Sequence, residues 1–145
     1  MIQKYLNKLE YNKILDIISS YCLTYKGVSL ANSFLPSNSE DIVSRLLEET
    51  DSAVTLLIRK GEIPLSNIAN IEVNIKNLES YNSLSASALL DVAYVLKISR
   101  QLHQYFFEDE DFDLSNFSIL EDLFSMLYYN KNIEDSIFHS IIDED

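Results

Sequence analysis

Residues 9–36 read LEYNKILDIISSYCLTYKGVSLANSFLP, and the way this stretch folds decides the class of the chain. Apolar residues recur at Leu9, Ile14, Ile17, Ile18, Tyr21, Cys22 and Tyr25, the three-and-four spacing that lines one face of an α-helix. A shorter apolar set follows at Val28, Ala31, Phe34 and Leu35, and Pro36 closes it. Gly27 stands between the two sets. The pattern predicts two helical segments with a kink or break near Gly27, packed through a broad apolar face.

Composition extends this reading to the rest of the chain. With 145 residues, 47% of them hydrophobic, the chain has the size and apolar content of a single packed domain over residues 1–145. It holds two glycines and two prolines, where average usage would supply about ten and seven. Turn-rich β architectures need those residues, whereas helices joined by short polar loops do not. The expected fold is all-α, a bundle of roughly six to seven helices.

Downstream of Pro36, Ser37 and Glu40 stand in capping-box spacing. One stripe then runs through Ile42 or Val43, Leu46, Leu47, Thr50, Ala53, Val54, Leu57 and Ile58. Arg59-Lys60 suits a helix C-terminus, and Gly61 suits a left-handed cap. Residues 62–70, with Pro64, read as a loop, and a short helix is expected to turn Ile71, Ile75 and Leu78 inward. Ser85 caps a long helix from Ala86 to Phe107, whose apolar residues cover more than one face and predict contact on two sides. Ser118 and Glu121 form a second capping box. A last helix from about Ile133, capped by Asn132, buries Ile137, Phe138 and Ile141. Acids at Asp143-Glu144-Asp145 oppose the dipole of a helix ending there, the expected mark of a segment cut from a longer chain.

Charge and side-chain inventory narrow the function. The formal net charge is −12, from 23 acids and 11 bases, so direct nucleic-acid binding by this segment is not expected. Arg59-Lys60 is the nearest thing to a basic run. The nine Tyr and seven Phe read as packing rather than base stacking, which needs a positive groove. Cys22, the lone cysteine, reads as a packed thiol. Asp109, Asp111 and Asp113 alternate as the first ligands of a calcium loop do, but Leu114 replaces the required Gly and Leu120 the bidentate acid. His103 and His139 lack partners at zinc-ligand spacing; His139 and Asp143, four apart, read as a surface pair. Gly27 and Gly61 are too isolated for a phosphate loop. No catalytic, cofactor-binding or metal residue is assigned. No signal peptide or run of the ~20 apolar residues of a membrane span is read, which predicts a cytoplasmic protein with no membrane partner.

Order and spacing carry a resemblance. Leu9-Glu10-Tyr11 with Ile14, then Gly27, Ala31, Leu35 and Pro36, resembles the opening of the type-two branch of the bacterial MutS family. Leu46-Leu47-Glu48-Glu49-Thr50 and Ala53 before Gly61 resemble the family's next segment. Ser85 with Leu89-Leu90-Asp91 and the Arg100 helix resemble the one after, and Ile133-Glu134 through Ile142-Asp143 the stretch beyond. Arg59-Lys60-Gly61 carries one glycine where the family often has two, and Ala86 replaces a frequent proline.

The resemblance implies an N-terminal core or lever segment, non-catalytic by itself, that transmits motion between an ATPase and a clamp. The implied parent is a dimeric DNA-binding ATPase with endonuclease activity, using ATP and Mg beyond Asp145 and acting in DNA repair and recombination control on branched DNA or on stalled ribosomes. Its partners here are its own downstream domains. The alternative is a free-standing acidic helical protein-interaction module. On the first reading the reading frame continues past Asp145 to a G-x-x-x-x-G-K-[ST] loop, and the segment alone self-associates through a helix face left uncovered.

Overall fold

A computed structural model describes residues 2–66, 68–109 and 112–142. The fold is all-α. Among the described residues there are eight α-helices: α1 (Ile2–Lys8), α2 (Tyr11–Ser20), α3 (Tyr25–Asn32), α4 (Glu40–Lys60), α5 (Glu72–Glu79), α6 (Ala86–Phe107), α7 (Ser118–Ser125) and α8 (Lys131–Ile142). A 3-10 turn, Leu114–Asn116, precedes α7. The contacts group the chain into two compact units, Met1–Pro36 with Ser66–Asn70, and Ser37–Leu65 with Ile71–Asp145.

The two helical segments expected over residues 9–36 are α2 and α3, and α1 before them brings the described residues to eight helices against the six to seven expected, because the opening of the chain breaks twice. Glu10 takes a left-handed backbone conformation, φ 54° and ψ 30°, which ends α1 after Lys8 and leaves Leu9 outside any helix and 73% exposed. The second break, expected near Gly27, falls just before it at residues 21–24. Thr24 is the physical reason: extended at φ −125° and ψ 147°, it caps α3 by accepting the Gly27 N–H on its hydroxyl at 2.9 Å. Gly27 therefore lies in the first turn of α3. Helices α2 and α3 pack together and are tied by the Ser19 hydroxyl donating to Asn32 Oδ1 at 2.9 Å. Ile68, from the expected loop, forms a parallel bridge with Thr24.

Among the described residues of this unit, Leu6 and Leu15 are buried. The apolar face predicted over Leu9–Tyr25 is instead largely solvent-facing, with Ile14, Ile17, Ile18, Tyr21 and Tyr25 all exposed. Leu15, absent from that predicted set, is the inward residue.

The second unit is built around α6, which packs on α8 and α7, while α7 also packs on α4. Contact on two sides is thus what its apolar girth serves. The core joins Leu56 of α4, Phe106 of α6, Phe117 just before α7 and Leu120 of α7, with Phe124 half-buried against them. The Phe106 and Phe124 rings stack at 4.3 Å and 11°, a close parallel arrangement that adds to the burial of each ring. On α4 the predicted stripe missed its innermost residue. Leu56 is 1% exposed, whereas Leu57 and Ile58 are 43% and 78% exposed, because the tertiary contacts select the face one residue back from the stripe.

Ends of helices account for the other differences. Ser85 caps α6 as expected, accepting the Ala88 N–H at 3.2 Å. Ser37 accepts the Ser39 N–H, so it closes the preceding turn and α4 starts only at Glu40. Ser118 is the first residue of α7, with Phe117 at the cap position and no side-chain cap bond. Asn130, not Asn132, caps α8 by accepting the Ile133 N–H at 3.1 Å. Gly61 ends α4 at φ 80° and ψ −158°, a region open essentially to glycine alone and distinct from a left-handed cap. Helix α5 does not bury its apolar residues: Ile75 and Leu78 are exposed and Ile71 lies before its first turn.

Candidate functional site

The charged groups with the most specific geometry lie along α6, and they join helices rather than face a cleft. Arg100 leaves α6 toward the first turn of α8. Its Nε donates to Glu134 Oε2 at 2.9 Å, its Nη2 to Glu134 Oε1 at 2.7 Å and its Nη1 to Gln104 Oε1 at 3.1 Å. The Glu134 side chain is 4% exposed and that of Arg100 19%. A bidentate fork of this kind fixes orientation as well as distance. Because Asn130 sets the start of α8, Glu134 falls in its first turn, where a carboxylate also faces the positive end of the helix dipole. The hydrogen bond from Arg100 holds the Glu134 carboxyl below its usual range, and the same bond raises the Arg100 guanidinium.

One turn further along α6, His103 sits 4.6 Å from the Phe107 ring and 5.0 Å from the Tyr129 ring, and its buried Nδ1 has no hydrogen-bond partner. Tyr94 meets Phe138 of α8 edge-on at 5.3 Å. The α6–α8 seam is therefore one forked ion pair flanked by aromatic contacts.

The C-terminal end of α6 has a second brace. Lys60, the last residue of α4, donates through Nζ to the carbonyls of Tyr105 at 2.8 Å and Phe106 at 3.3 Å. Those carbonyls are among the last four of α6, which have no partner within the helix. The Lys60 side chain is 5% exposed, and its ammonium also lies 3.4 Å from Asp109 Oδ2 and 4.3 Å from the Phe112 ring centroid. Arg59 and Lys60 occupy the last turn of α4, as expected, and Lys60 in addition caps α6. Tyr105 returns the contact by donating its hydroxyl to Gly61 O at 2.9 Å, and burial raises its phenol.

The other residues singled out by sequence do not converge. Asp113 accepts the Ser115 N–H at 2.9 Å, which lowers its carboxyl; Asp109 faces Lys60; and Asp111 lies outside the described residues. His139 is exposed on α8, and Asp143 lies outside the described residues. Cys22 is half-buried with its thiol 3.5 Å from Ile18 O. Among the described residues no three His, Cys, Asp or Glu side chains are grouped to hold a metal ion, and no helix is long and apolar enough to cross a membrane. Sequence reading had placed Arg100 and Glu134 in two separate stretches of resemblance without pairing them. The available signal was weak: Arg100 is one of two bases, with Lys97, inside a long and mostly apolar helix.

What fold and braces define is an all-α segment whose polar chemistry holds helices in register. Its relatives say which. The chain is 32% identical over 144 residues to the endonuclease MutS2 of Clostridioides difficile, covering 99% of this chain and 18% of that protein. It is 34% identical over 145 residues to the endonuclease MutS2 of Acetivibrio thermocellus, covering 100% and 18%, and 31% identical over 137 residues to that of Ruminiclostridium cellulolyticum, covering 94% and 17%. This chain is a MutS2-type segment of the MutS family, and it spans under a fifth of the length of these relatives. No family model matches the chain, and no solved structure matches it.

Proposed function

We propose that this chain is the N-terminal core or lever segment of a MutS2-type protein and does no chemistry itself. Its role is to carry motion between an ATP-hydrolysing part and a DNA clamp of the same dimeric protein. ATP and Mg belong to that remainder, as do nucleic-acid cleavage and any action on branched DNA, in recombination control, or on ribosomes. The supporting observation is that the whole chain matches MutS2 endonucleases while accounting for 17–18% of their length. The double bracing of α6 suits the role, since a lever transmits displacement only if its helices move as one body.

The test uses a whole MutS2-type protein carrying this segment. Arg100→Ala should leave basal ATP hydrolysis intact while abolishing the response of hydrolysis to added branched DNA. A response equal to that of the unaltered protein refutes the lever. Turnover of ATP or cleavage of DNA by the isolated 145-residue chain refutes the non-catalytic assignment.

A further inference from the structure

Helix α4 shows two faces of opposite fate. Its inward face carries Leu56, 1% exposed, with Ala53 packed beside it. Its outward face carries Val43, Leu47, Val54 and Ile58, which are 38%, 64%, 48% and 78% exposed. At 3.6 residues per turn these four fall within about 60° of arc, a continuous apolar line on a helix about 30 Å long. Thr50 fills the gap in the line, and its hydroxyl is spent on the Leu46 carbonyl at 2.8 Å, so the gap demands no polar partner.

The edge of this line is acidic. Glu40 and Asp51 lie along one side of it and Glu48 about 80° further round the helix, all exposed, and none forms an ion pair among the described residues. Arg45 is on the far side, turned toward Glu49 at 3.9 Å, while Arg59 lies over the Phe117 ring at 5.8 Å. An exposed apolar line with a one-signed border selects its occupant by complementary charge. We propose that the outward face of α4 docks an amphipathic α-helix whose apolar stripe is bordered by Lys and Arg. A second copy of the chain fits less well: two such faces laid antiparallel bring Asp51 against Asp51 at the centre, between chains of net charge −12 each.

The test titrates the 145-residue chain with synthetic helical peptides of about 21 residues, the length of α4, with Leu at heptad positions a and d. One peptide carries Lys at e and g, the other Glu. The lysine peptide is expected to bind, more weakly as salt rises, and the glutamate peptide not to bind. Leu47→Gln with Ile58→Gln should weaken the lysine peptide by about tenfold or more, with helix content unchanged by circular dichroism. Ile17→Gln, on the exposed face of α2, should leave it unaltered, and Glu48→Lys with Asp51→Lys should transfer preference to the glutamate peptide. Equal binding by the Leu47/Ile58 variant, or equal binding of both peptides, overturns the proposal. So does a dimer of the chain in sedimentation that the Leu47/Ile58 variant abolishes, which would make a second copy the occupant.

Discussion

Removing either side of the Arg100–Glu134 fork should have unequal cost, and the inequality follows from burial. Arg100→Ala leaves the carboxylate of Glu134, whose side chain is 4% exposed, without either of its two donors at 2.7 and 2.9 Å. Breaking a buried pair from one side costs about 3–5 kcal/mol, and this variant belongs at the upper end. Glu134→Ala leaves an Arg100 side chain that is 19% exposed and still donates to Gln104, so its cost should sit near 3 kcal/mol. The double variant Arg100→Met/Glu134→Leu replaces the pair by apolar groups and should return to within about 1 kcal/mol of the original. Amide hydrogen exchange of α6 and α8, followed by mass spectrometry at neutral pH, measures this locally. That suits a chain of two compact units, where one global transition is not assured. A loss of 3 kcal/mol shortens protection of these helices by roughly a hundredfold. Single variants that each cost under about 1 kcal/mol would mean the fork behaves as a solvated surface bridge. A double variant as weak as Arg100→Ala would equally refute the reasoning.

Three further outcomes are expected. Leu56→Ala should cost about 2–5 kcal/mol in urea denaturation, and Ile58→Ala within about 0.5 kcal/mol; a reversed order would restore the face read from sequence. Lys60→Met keeps the aliphatic stem but loses the bonds to Tyr105 and Phe106 O, so it should cost about 1.5–3 kcal/mol and raise hydrogen exchange in the last turn of α6, with unchanged exchange there counting against the cross-helix cap. Because the folded Glu134 pKa is depressed, its contribution is present above the ordinary carboxylate value and disappears as pH falls through the lower folded value. Stability of the original and of Glu134→Gln should therefore converge below about pH 4.5, and a constant gap down to pH 2 would contradict the pairing.

The long helix of the second unit was legible almost to the residue. Ser85 gives a cap whose partner lies three residues on, and the apolar girth of Ala86–Phe107 announces contact on two sides; both are local facts. The same local logic misplaced the break in residues 9–36. Gly27 is a permissive residue, and a permissive residue allows a break without requiring one. Thr24, whose hydroxyl captures the Gly27 N–H, set the helix start instead. Family assignment was also legible, because order and spacing along the chain survive without coordinates.

What sequence by itself determined is the helical class, most of the elements and the family, since periodicity, glycine and proline scarcity and collinear spacing are properties of the chain alone. Which face of each helix turns inward was decided only by the tertiary structure. On α4 the periodic pattern offers Val54, Leu57 and Ile58 as readily as Leu56, and contact with Phe106, Phe117 and Leu120 selects Leu56. The braces belong to the same category. Arg100 and Glu134 are 34 residues apart and Lys60 and Tyr105 are 45 apart, so no local periodicity links them, and only the packing of α6 against its neighbours brings each charge to its partner.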